Sequence, residues 1–167
     1  MTTTTVQVEL ADAEATRDYG RRLAAVLTPG DLVVLTGALG AGKTTLTQGI
    51  GDGLGVRGQV ASPTFIIARV HPSLAGGPAL VHVDAYRLGS FEELDALDLD
   101  AELDESVTVV EWGEGLAEVL SEDRLEVTID RPHGAAPGED LLDAERGVRH
   151  VVVRPVGPRW HEVALPS

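Results

Sequence analysis

Cysteine is missing from all 167 residues, which excludes disulfide staples, thiolate metal sites and cysteine nucleophiles together. Nor is there an apolar run near the ~18 residues that a membrane-spanning helix requires. The stretch Met1-Thr2-Thr3-Thr4-Thr5 carries neither a basic patch nor an apolar segment, so it does not read as a secretory signal. Cytoplasm is the default expectation, with no membrane association. Positive charge is also short: 13 Lys and Arg face 27 Asp and Glu, a net charge of -14. A surface this acidic repels phosphodiester backbones and lacks the cations that drive counterion release, which argues against direct, tight nucleic-acid binding. Lysine is the scarcest cation, present once as Lys43 against twelve arginines.

What is present is globular. Hydrophobic residues make up 43% and charged residues 24%, close to averages for folded domains. The length suits one domain with a real core, spanning 1–167, and is short for two. Val6 to Leu10 alternates as a strand, and Asp12 is placed to cap a helix over Ala13 to Leu27 that Thr28-Pro29-Gly30 stops. Asp31 to Thr36 is an apolar run of buried-strand type. A helix from Lys43 or Thr44 to Leu54 follows, with Gly49, Gly51 and Gly53 each costing it up to ~1 kcal/mol relative to alanine.

Further strands are expected over Phe65 to Val70, Ala79 to Asp84, Val107 to Val110, Arg124 to Ile129 and Val148 to Arg154. Short helices fit Phe91 to Leu97, behind a Ser90/Glu93 capping box, and 115–120. Arg131 to Gly147, rich in Gly, Pro and acids, reads as a long flexible hairpin loop. The pattern is that of a three-layer α/β fold with a parallel core sheet and antiparallel edge strands.

Gly37-Ala38-Leu39-Gly40-Ala41-Gly42-Lys43-Thr44 matches G-x-x-x-x-G-K-[ST] in full, between a buried strand and a helix. Such a loop turns successive backbone N–H groups inward to phosphate oxygens, and the helix amino terminus adds its positive dipole end. ATP is the expected ligand, with Mg²⁺. Lys43, read as an exposed loop side chain, would bridge the β- and γ-phosphates, Thr44 would offer its hydroxyl to the metal, and Thr45 completes the nucleotide-binding set. That the sole lysine sits here fits a compact ammonium reaching between phosphates, where a forked guanidinium is not equivalent.

A P-loop also needs an acid at the end of another buried strand. Leu80-Val81-His82-Val83-Asp84 and Thr108-Val109-Val110-Glu111 both qualify, because the carboxyl ends of parallel strands line the ligand crevice. Either acid taken alone is also explained as a helix cap. Arg87 is a finger supplied in cis or an ion-pair partner of Asp84 and the acids after it. Trp112 has a flat face suited to a base or partner, and equally to a core. His82, alternating with Val81 and Val83, reads as a satisfied buried imidazole. Ser62-Pro63-Thr64-Phe65 resembles a switch, although a plain turn also explains it.

Taken with Walker A, the segments Ser62-Pro63-Thr64-Phe65, His82-Val83-Asp84-Ala85-Tyr86-Arg87-Leu88 and Val110-Glu111-Trp112-Gly113-Glu114 resemble the TsaE (YjeE-type) ATPases of bacterial tRNA threonylcarbamoyladenosine biosynthesis. Order and spacing hold from about Val6 to Ile129, and the four segments together are specific where Walker A alone is common. The resemblance implies an ATPase that binds ATP and Mg²⁺ and supports a TsaB and TsaD pair. In that family the pair transfers a threonylcarbamoyl group to N6 of the adenosine beside the tRNA anticodon. It also implies Lys43 on the phosphates, Thr44 and Glu111 at the metal, Asp84 supporting water attack, and Trp112 near the base. The tRNA is then met only through the complex, which the acidic surface fits. A small-molecule kinase and a nucleotide-dependent binding module are the rival readings.

Overall fold

In the computed structural model the fold is described for residues 5–37, 42–56, 68–74, 76–84, 105–111, 123–130, 148–161 and 163–166. Seven strands and two helices follow the chain as β1 (Val6–Leu10), α1 (Ala13–Ala24), β2 (Leu32–Thr36), α2 (Lys43–Leu54), β3 (Ala68–His71), β4 (Ala79–Asp84), β5 (Ser106–Glu111), β6 (Arg124–Asp130) and β7 (Arg149–Val156). A 3-10 turn over Pro158–Trp160 comes last. The strands make one sheet in the order β1-β7-β6-β2-β5-β4-β3. Its centre, β6, β2, β5 and β4, is parallel, while β7 and β1 at one edge and β3 at the other run antiparallel to their neighbours. The parallel core with antiparallel edges is as the sequence leads one to expect. The helices anticipated at 91–97 and 115–120, the 62–65 segment and the 131–147 loop lie outside the described residues.

The apolar runs behave as doubly covered strands should. Val33, Leu35, Leu80, Val107, Val109, Leu125 and Val127 join Tyr19, Leu23, Leu46 and Ile50 of the two helices in one cluster. Leu32, Val34, Val81, Val83 and Val110, alternating with them, are equally buried. Asp12 caps α1 as expected, its carboxylate accepting from Ala15 N–H at 2.8 Å. The helix stops at Ala24, three residues before the expected Leu27. Its last turn tightens there, with Val26 and Leu27 N–H bonding the carbonyls of Leu23 and Ala24.

The glycines of α2 are a seam. A Cβ on Gly49 would sit 2.1 Å from the Arg17 carbonyl oxygen of α1, and one on Gly20 would sit 2.4 Å from that of Leu46. Their propensity cost of up to ~1 kcal/mol each is thus exchanged for backbone-to-backbone packing that any side chain would push apart, at about 1–3 kcal/mol or more. α1 thereby backs the helix that leaves the phosphate loop.

At the amino end of β2 the chain closes on itself. Arg159 in the 3-10 turn grips Asp31 through Nε at 3.1 Å and a second nitrogen at 3.1 Å. It also donates to the Val26 carbonyl at 3.0 Å and lies over the Trp160 ring. Thr28 N–H adds a 2.7 Å bond to the same carboxylate. The tail beyond is pinned once more, where the buried Tyr19 hydroxyl donates to the Pro166 carbonyl at 2.8 Å. Among the described residues no helix is long and apolar enough to cross a membrane.

Candidate nucleotide site

The carboxyl ends of β2, β5 and β4 lie side by side, and the chain leaves β2 directly into Gly37. Gly42, the cap of α2, has φ +113°, a left-handed conformation that L side chains seldom take. A Cβ there would also press within 3.2 Å of Ile129 Cδ1, which would have to shift, so it is the backbone that demands glycine at this point of the motif. α2 then begins with no side-chain cap, which leaves its first N–H groups for an anion. Ala38, Leu39, Gly40 and Ala41 lie outside the described residues.

Lys43 is the first residue of α2, and its Nζ donates to the Gly37 carbonyl at 2.8 Å, from one end of the loop back to the other. It is 5% exposed. That corrects the expectation of an exposed loop lysine: the stem is packed under the loop, with Thr47 bonded to its carbonyl at 2.9 Å. Thr44 and Thr45 follow, both half-buried.

Asp84 and Glu111 end neighbouring parallel strands and are paired in the ladder, which sets their backbones about 5 Å apart. Leu35 of β2 pairs with the same Glu111 from the other side. The two acids singled out in the sequence therefore come together, one and two strands from the phosphate loop. Glu111 is 4% exposed, and His82 is fully buried. Their side chains meet, His82 Nε2 against Glu111 Oε2, and among the described residues that imidazole is the only partner of the Glu111 carboxylate. His82 is buried as expected but satisfied on one nitrogen only, since Nδ1 has no hydrogen-bond partner among the described residues. Trp112 and Arg87 lie outside them.

One basic residue escaped sequence reasoning. Arg149, 3% exposed at the start of β7, brings Nε to 3.7 Å from where a Gly42 Cβ would be. Because β7 runs antiparallel to β6, its beginning shares the edge on which the parallel strands end. No local motif marks it; only the sheet order does.

Among the described residues no three His, Asp or Glu side chains gather to hold a metal by themselves. Magnesium at a nucleotide site needs no such cage, since one or two protein oxygens plus phosphates and water suffice. The hydroxyl of Thr44 and the buried carboxylate of Glu111 are hard oxygen donors of that kind, so the residues fit the ion.

The family model described as "Threonylcarbamoyl adenosine biosynthesis protein TsaE" matches residues 10–136. The chain belongs to the TsaE family. The TsaE of Streptomyces coelicolor is 61% identical over 145 residues, which cover 86% of this chain and 93% of that one. The Mycobacterium tuberculosis H37Rv TsaE is 51% identical, covering 73% and 77%, and that of Bacillus subtilis 168 is 40% identical, covering 71% and 73%. The crystal structure of Bacillus subtilis YdiB superposes with a TM-score of 0.70 at 30% identity, over 96% of this chain and 91% of the other. Nucleotide-binding character and the P-loop ATPase type belong to the family, and the P-loop NTPase fold is the one seen here.

Proposed function

We propose that this chain is a Mg²⁺-dependent ATPase that serves tRNA threonylcarbamoyladenosine biosynthesis and works at full rate only beside a TsaB and TsaD pair. Its place in that modification follows from its family. The observation that carries the chemistry is that Lys43 folds back across its own loop while Glu111 is buried on the strand beside β2, at the end where that loop begins.

In this reading Gly37 to Thr45 bind the nucleotide, with the α2 amino terminus and Lys43 holding phosphate charge. Thr44 and Glu111 hold the ion. Bound magnesium supplies neutralisation of the charge that builds on the β- and γ-phosphate oxygens. Asp84, beside Glu111, orients the attacking water and takes its proton as the γ-phosphoryl group leaves ADP, giving ADP and phosphate. Trp112 lies against the base. Phosphoryl transfer rewards positioning and positive charge on the transition state, and an arginine supplied by a partner contributes ~10³ or more. A chain of net charge -14 draws a basic partner surface at low salt, which leaves tRNA contact to the complex.

Phosphate release measured on the chain alone and with TsaB and TsaD, at two ionic strengths, tests this. Slow hydrolysis alone, stimulation by the pair and weaker association at higher salt are expected. Fast hydrolysis indifferent to those proteins overturns the partner-dependent reading, and a phosphorylated small molecule as product would make the chain a kinase.

A further inference from the structure

His82 is a costly residue where it stands. It interrupts the apolar run of β4, is fully buried, and leaves Nδ1 without a partner among the described residues. Burying a polar atom without a hydrogen bond destabilises a fold, and a valine like its neighbours Val81 and Val83 would avoid that cost. The ladder explains where its other nitrogen goes. His82 pairs with Val109, two residues before Glu111 on β5. Paired residues of parallel strands share a face, as do residues two apart along a strand. The imidazole therefore reaches diagonally along one face of the sheet to the Glu111 carboxylate.

The kind of partner matters as much as its place. A carboxylate oxygen accepts, so Nε2–H is the donor to Oε2. An arginine there would neutralise Glu111, as Arg159 does for Asp31. A single N–H fixes the carboxylate plane and occupies Oε2, and among the described residues Oε1 has no partner. Outer partners of this sort set the orientation of metal-bound carboxylates.

We propose that His82 is a positioning residue: its Nε2–H holds the Glu111 carboxylate in the orientation that receives the nucleotide-bound divalent cation. The inference rests on the assignment of Glu111 to the cation under Proposed function, and the test separates the two. Magnesium is titrated against the thermal stabilisation that ATP gives the full-length chain, for wild type, Glu111→Gln, His82→Phe and His82→Gln. His82→Phe keeps the ring and loses the donor, while His82→Gln puts an amide N–H near the Nε2 position. His82→Phe should raise the half-saturating Mg²⁺ concentration about 10–100-fold with ATP binding in chelator unchanged. His82→Gln should recover most of that loss, and adding His82→Phe to Glu111→Gln should change nothing further.

Should His82→Phe fail to fold, His82→Asn, whose amide falls short of Glu111, takes its place. A wild-type Mg²⁺ response in His82→Phe, or a His82→Gln response as weak as that of His82→Phe, overturns the positioning role and leaves Glu111 at the cation. A wild-type response in Glu111→Gln removes the cation assignment itself and the inference with it.

Discussion

Two carboxylates are buried at opposite ends of the neighbouring parallel strands β2 and β5, and the protein treats them in opposite ways. Asp31, before β2, is 5% exposed and Glu111, closing β5, is 4% exposed. Asp31 receives two nitrogens of Arg159 and the amide of Thr28, so its charge is neutralised and its lone pairs are used. Glu111 meets one imidazole among the described residues. A buried network that is fully satisfied holds a fold together, whereas a buried charge left short of partners costs stability and is kept for what it will bind. The amino end of the strands is closed on itself, whereas at the carboxyl end Glu111 has a single partner among the described residues.

Crossing the two acids breaks this comparison most forcefully. Asp31→Ala strands the Arg159 guanidinium and should cost about 3 kcal/mol, a fall of roughly 10 °C for a chain of this size, with ATP binding retained. Glu111→Gln should unfold no more easily than wild type, since it removes a poorly partnered buried charge at constant volume. Its hydrolysis should need far more Mg²⁺, and more than Asp84→Asn needs, because Asp84 is assigned to the water. Differential scanning calorimetry and Mg²⁺ titration of the rate read both halves. Destabilisation by Glu111→Gln equal to that of Asp31→Ala would erase the distinction between the two ends.

A smaller effect sharpens the closed end. Burial pushes the Tyr19 hydroxyl up to about 12 from 10, against the opposing pull of Arg22. The fold therefore favours the neutral phenol. The contribution is whole below pH 10 and is lost as pH rises toward 12, because the unfolded chain ionises first. Between pH 9 and 11 that loss should reach about 1 kcal/mol. Tyr19→Phe should show a flatter decline in denaturant midpoint over the same interval, and equal slopes would remove this role for the phenol.

How much of this could be read in the sequence follows the same division. The apolar runs 32–35, 80–83 and 107–110 announce strands buried on both faces, and the full Walker A puts a strand before Gly37 and a helix start at Lys43 or Thr44, where β2 ends and α2 begins. Asp84 and Glu111 were visible because each ends such a run. Periodicity assigns a residue to a face, however, and says nothing of which strand lies beside it. Arg159 meets Asp31 across 128 residues of chain, Arg149 reaches Gly42 only because β7 inserts between β1 and β6, and His82 finds Glu111 only through the register of β4 on β5. Gly49 and Gly53 read only as a cost for the same reason, since their propensity cost is local and their packing gain lies on α1. Lys43 reads as exposed in the sequence because a loop motif carries no information on what packs beneath it.

The central claim is that the carboxyl end of the strands binds Mg-ATP through Lys43, and thermal unfolding of wild type and Lys43→Ala with and without Mg-ATP tests it most directly. Ligand at 100 times its dissociation constant should stabilise wild type by about 2.7 kcal/mol and should leave a cooperatively folded Lys43→Ala chain unchanged. Equal stabilisation of both proteins would contradict the account.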